Sequence, residues 1–84
     1  MQIHVYDTHV KTLDGRYLHF DVLVNEDNKP RIEEFVARYL DAKGIKASTL
    51  TSASCLFCHS EVASAKVQAS IRQYGYYILP LSGC

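Results

Sequence analysis

An α+β fold, one four-stranded mixed sheet with two helices in the order β-β-α-β-α-β, is predicted by three observations on these 84 residues. Two stretches alternate apolar and polar residues on either side of Asp14-Gly15. Two later stretches repeat apolar residues at helical spacing, and each runs into a glycine. The chain then returns to a short aromatic and branched run before its end. With no internal repeat, linker or low-complexity tract, residues 1–84 read as a single domain.

Gln2 to Lys11 and Arg16 to Val24 form the first two strands, and Asp14-Gly15 supplies the positive φ of a tight turn, so the chain opens with an antiparallel β-hairpin. Two registers compete. A two-residue loop sets Asp7 and His9 on the apolar face against Val22 and Phe20. A slip by one residue puts Tyr6, Thr8 and Val10 there and carries His9 toward Asp21. The second fits the pattern better and requires a longer or bulged turn.

From Asn28 the signals turn helical. Asn28 is placed to cap, Pro30 fits a first turn, and Ile32, Phe35, Val36, Tyr39 and Leu40 share one face before Gly44 closes the helix. Lys46 to Ser54 alternates weakly and is rich in threonine and serine, the composition of a partly buried third strand. Ser60 is placed to cap the second helix, with Glu61 in its first turn, an apolar stripe of Ala63, Val67, Ile71 and Tyr74, and Gly75 at its end. Tyr76 to Leu79 makes the last strand, which Pro80 either ends or confines to an edge. Phe20, Val22, Ile32, Phe35, Val36, Leu40, Val67, Ile71 and Ile78 are expected to form one core, since a domain this small has room for one of any size.

Nine basic residues balance nine acidic ones without clustering, so the footprint for a phosphate backbone is missing and nucleic acid is not an expected partner. No apolar run is long enough to cross a bilayer, and Met1 to Asp7 carry no signal-peptide pattern; the expectation is a soluble cytoplasmic protein that engages another protein or a small molecule.

The one motif with chemistry of its own is Cys55-Leu56-Phe57-Cys58-His59, answered by Cys84. Its spelling is that of covalent haem attachment, but that chemistry belongs to exported proteins, and Met1 is the only methionine. Zinc is the metal this donor set suits, with Cys55, Cys58, Cys84 and His59 as candidate ligands. If the last two strands are parallel neighbours, both sets of cysteines follow their strands at the same sheet edge. A second reading makes Cys55 and Cys58 a redox dithiol activated by the N-terminus of the second helix. A third has all three cysteines packing as small apolar residues, with the function in a partner surface such as the small residues Ser64, Ala65, Ala69 and Ser70. His19 and Asp21 share one face of the second strand, the spacing of an oriented imidazole and equally that of a solvated polar face; His4 and His9 read the same way.

His4-Val5-Tyr6-Asp7-Thr8, Val10-Lys11, His19-Phe20-Asp21-Val22, Cys55-x-Phe57-Cys58-His59, Gly75-Tyr76-Tyr77-Ile78 and Gly83-Cys84 together resemble a family of small bacterial proteins known as a domain of unknown function. The likeness spans the chain. It implies a single α+β domain in a bacterial cytosol, and it carries over no activity or site residue.

Overall fold

A computed structural model describes residues 1–45 and 50–82, the side chains of residues 50–55 and 82 excepted. The described residues form β1 (Gln2–Thr12), β2 (Tyr17–Val24), a 3-10 turn (Glu26–Arg31), α1 (Ile32–Ala42), β3 (Leu50–Val62), α2 (Ala65–Tyr74) and β4 (Tyr77–Ser82). The α+β class and the element order are as the sequence predicts.

The hairpin adopts the slipped register. Tyr6 pairs with Val22, Thr8 with Phe20 and Val10 with Leu18, which sets His9 opposite His19 and Asp7 opposite Asp21. The turn that permits it has three residues, Leu13, Asp14 and Gly15. Gly15 N–H donates to Thr12 O (3.2 Å), Thr12 N–H donates to Arg16 O (2.9 Å), and Gly15 takes φ +87°, the left-handed residue such loops need.

The sheet order is β3-β1-β2-β4 and all three pairings are antiparallel, so the sheet is not mixed. The parallel crossover from β3 to β4 does not exist: the two strands occupy opposite edges with β1 and β2 between them. The physical cause is the early part of β1, whose free edge is completed by β3 from Gln2↔Val62 onward. As a result β3 runs to Val62, eight residues past its expected end at Ser54, and its first expected residues, 46–49, lie outside the described part. Ser60 is held in that strand by a 2.8 Å hydrogen bond from its hydroxyl to His4 Nδ1. The cap of α2 is therefore Ser64, whose Oγ accepts from Val67 N–H (3.4 Å). Pro80 lies in β4, an edge strand, opposite Phe20 beside a register irregularity.

Both helices end as their glycines require. At α1, Ile45 N–H reaches Leu40 O (2.8 Å) and Gly44 N–H reaches Asp41 O (2.9 Å), a Schellman closure in which Ile45 and Leu40 join the same buried cluster. Asn28 and Pro30 sit in the preceding 3-10 turn, where Asn28 Nδ2 donates to Asn25 Oδ1 (2.7 Å) instead of capping α1. Gly75 closes α2 at φ +92°.

The single expected core divides in two. Phe20, Val22, Ile32, Phe35, Val36 and Leu40 pack with Val10, Leu18, Val24 and Ile45 beneath α1. Ile71 packs with Ile3, Val5, Leu23 and Ala63 on the other face, beneath α2, with Val67 and Tyr77 alongside. Alternation explains the division, because Val22 and Val24 point one way and Leu23 the other. Tyr74, expected on the apolar stripe of α2, is exposed.

Candidate functional site

Along β1 the buried side changes. Ile3 and Val5 are buried toward α2, whereas Thr8, Val10 and Thr12 are buried toward α1. Asp7 and His9 continue the α2 side, as do His19 and Asp21 on β2, but α2 is only ten residues long and its cluster stops at Val5 and Leu23. Among the described residues no helix covers this part of the face, and its β1 and β2 positions are polar.

Asp7 stands at the centre. Its Oδ2 accepts from His9 Nε2 (2.9 Å) and its Oδ1 accepts from His19 Nε2. A carboxylate has only acceptors, so both Nε2 atoms carry hydrogen, and His9 Nδ1 meets the Tyr17 hydroxyl. The two imidazoles stack with centroids 4.1 Å apart and planes 11° from parallel. Those hydrogen bonds, His19 first and His9 second, hold the Asp7 carboxyl below its ordinary pKa. Burial moves Asp21 the other way, above its ordinary value, reinforced by the Asp7 charge opposite. The side chains of Asp7, His9 and His19 each keep about a third of their surface, at 33, 32 and 28 %. One carboxylate and two imidazoles thus present ligand atoms within 4.8 Å of one another on two paired strands.

The cysteine motif lies elsewhere. It falls within β3, where Thr8 pairs with Cys55, Tyr6 with Phe57 and Val5 with His59, so Cys58 occupies a bulge between two pairings. Residues three apart in an extended strand are separated by about 10 Å before the bulge shortens it, against a disulfide limit of about 7 Å between Cα atoms. The expected helix N-terminus beside the thiols is missing because α2 begins at Ala65. Cys58 is exposed, with Sγ 3.3 Å from His59 Nδ1, and His59 Nε2 donates to Glu61 Oε2 (3.2 Å). The Cys55 side chain and Cys84 are outside the described part, and β4, which leads to Cys84, forms the far edge of the sheet from β3. Phe57, expected in the core, is 55 % exposed and rests against Tyr6 and His4.

Over residues 1–81 the chain matches the family described as Domain of unknown function (DUF2024). The chain belongs to this family. A solved structure, the NMR structure of protein NE1680 from the bacterium Nitrosomonas europaea, is 45% identical, with a TM-score of 0.81, 100% of this chain and 99% of that chain covered. No curated protein matches.

In this DUF2024 chain the site residue that sequence reasoning passed over is Asp7, which joins His9 to His19. His19 reads naturally with Asp21, two positions away on the same strand, yet its partner is Asp7 across the pair. The signal lay in the turn: a left-handed glycine ending a three-residue loop selects the register that sets His9 against His19.

Proposed function

We propose that this domain is a small binding module whose working surface is the uncovered half of the α2-side sheet face, centred on Asp7, His9 and His19. The observation that carries this is the Asp7–Asp21 pairing. Like charges directly opposite on neighbouring strands oppose pairing, and Asp21 is held above its ordinary pKa by burial first and by the Asp7 charge second. β-branched residues at these four positions would suit the strands better. A charge retained at a cost to stability, as Asp21 is, on rigid strands beside a hydrogen-bonded Asp7, His9 and His19, is the mark of a recognition surface. Tyr17, 46 % exposed, and Leu79, 42 % exposed, give its rim apolar area for a ligand to cover.

An NMR screen of polar fragments against the full chain tests this. Amide shifts are expected to concentrate at Asp7, His9, Tyr17, His19, Asp21 and Leu79; hits gathered on β3 or α2 instead would overturn it.

A second reading keeps function with the thiols, either as the zinc ligands Cys55, Cys58, Cys84 and His59 or as a Cys55/Cys58 dithiol. The Cys58–His59–Glu61 chain of contacts favours it. Alkylation of one thiol well below the ordinary thiol range, about pH 8.5, would support the dithiol, and an ordinary profile at all three would dispose of it; less than about a tenth of an equivalent of zinc retained after dialysis would dispose of the zinc ligands.

A further inference from the structure

We infer that Asp7, His9 and His19 form a binding site for a divalent transition-metal ion, which deepens the binding-surface reading and rests on it. Two imidazole nitrogens and one carboxylate oxygen are a donor set that zinc and its first-row neighbours accept, and one that calcium and magnesium, which require oxygen, do not favour. The ligand atoms lie within 4.8 Å of one another. Tetrahedral zinc with bonds of about 2.0 to 2.1 Å needs its ligands about 3.3 Å apart, so the ion fits with small rotations of the three side chains and no change of backbone.

Three further features suit an ion. First, the site is preorganised: His9 and His19 are a directly paired couple on β1 and β2, and both already direct Nε2 at the same carboxylate. Second, His9 has an orienting partner on its other nitrogen, the Tyr17 hydroxyl, in the place where a ligating histidine usually donates to a carboxylate, carbonyl or water. Third, Asp21 stands directly opposite Asp7 in the strand pairing, so a cation held by Asp7 would lie beside a second carboxylate.

The proton balance is simple. Metal binding replaces the hydrogen on each Nε2. A neutral imidazole then keeps its proton on Nδ1, where His9 donates it to the Tyr17 oxygen, and an imidazolium releases one proton to solvent. Three protein ligands leave the fourth position of the ion facing the open side of the sheet, so the ligand class for this surface is a small molecule or peptide with a group able to complete the coordination.

The test is calorimetric titration of chelator-treated full-length protein with zinc, followed by cobalt absorption. One equivalent of zinc is expected to bind, with zinc-induced amide shifts at Asp7, His9 and His19. His9→Ala and His19→Ala should each weaken binding more than tenfold, while a Cys55→Ser/Cys58→Ser/Cys84→Ser variant binds like the parent. The cobalt form should lack a sulfur-to-cobalt charge-transfer band. Asp7→Asn, which keeps the shape of the side chain, guards against a folding artefact in the histidine variants. Binding lost in the serine variant and kept in His19→Ala would assign the ion to the thiols and overturn the inference; equal binding in every variant, or none in the parent, would also overturn it. Fragments that still bind this face in a protein indifferent to zinc would retire the ion and leave the surface standing.

Discussion

The two halves of one sheet face, built by the same pair of strands, have opposite characters. Under α2 the positions are Ile3, Val5 and Leu23; beyond it they are Asp7, His9, His19 and Asp21. Backbone geometry is shared, and so is strand pairing. What differs is cover: a ten-residue helix shields one half, and the other must be soluble by itself. The opposite face shows what a covering helix does, because beneath α1 the same two strands supply Val10, Leu18, Phe20, Val22 and Val24, with Thr8 and Thr12 buried beside them. Apolar packing is therefore concentrated on the α1 side, and the open half of the α2 side is free to carry residues that add nothing to the apolar core.

That division can be broken first where it is strongest. Phe35 is fully buried on the α1 side, stacked on Tyr76 at 4.5 Å. Phe35→Ala should cost about 3 to 5 kcal/mol, enough to unfold much of a domain this small, and a mutant that melts like its parent in urea would refute the assignment of the main core. Ile71→Ala probes the lesser cluster. The side chain is 3 % exposed among only four other buried residues, so a cost of about 2 kcal/mol is expected. Hydrogen exchange should quicken across α2 while α1 stays protected. Equal loss of protection in both helices would mean that the two sides fold as one unit.

Gly75 joins the two sides. It ends α2 at φ +92°, and a Cβ there would come within 3.0 Å of the Phe35 ring. Gly75→Ala should cost about 1 to 2 kcal/mol from the left-handed backbone and the crowded ring together. Phe35→Leu in the same chain should recover part of that loss, as a double-mutant cycle would measure. Strict additivity would show that backbone strain alone is responsible.

How much of this was legible depended on how local the deciding force was. The hairpin, its register, the face of α1 and the glycine ends of both helices rest on interactions within a few residues, and the sequence carries them openly. The length of β3 does not. Ser60 and Ser64 are equally good caps, and only the unpaired edge of β1, nearly sixty residues earlier, decides that the strand continues to Val62. The same long-range pairing moved Cys55 and Cys58 from a strand-to-helix junction into an edge strand. The Asp7–His9–His19 cluster sits between these cases. Its members are visible, but their union follows only after the register is chosen, and solvated strand faces offer many polar residues that never meet.

The smallest expected effect tests whether the open half is held at a cost. The folded-state pKa of Asp21 lies above its ordinary value, through burial and the Asp7 charge, so the folded protein binds the Asp21 proton more tightly than the unfolded chain does. Ionised Asp21 therefore disfavours the fold, fully so at pH above the folded value. As pH falls through that value and then through the unfolded one, about 3.9, the penalty vanishes. Asp21→Asn removes the charge at every pH. It should raise the melting temperature at neutral pH by a few degrees at most, and the advantage should shrink in acid until the two proteins melt together. Asp7 carries the opposite sign: its depressed pKa stabilises the fold above about pH 3.9, and that support is lost as pH falls through the folded value, so Asp7→Asn should lower the neutral melting temperature. If Asp21→Asn leaves the neutral melting temperature unchanged or lowers it, Asp21 is not held at a cost, and the stability argument behind the binding surface is gone.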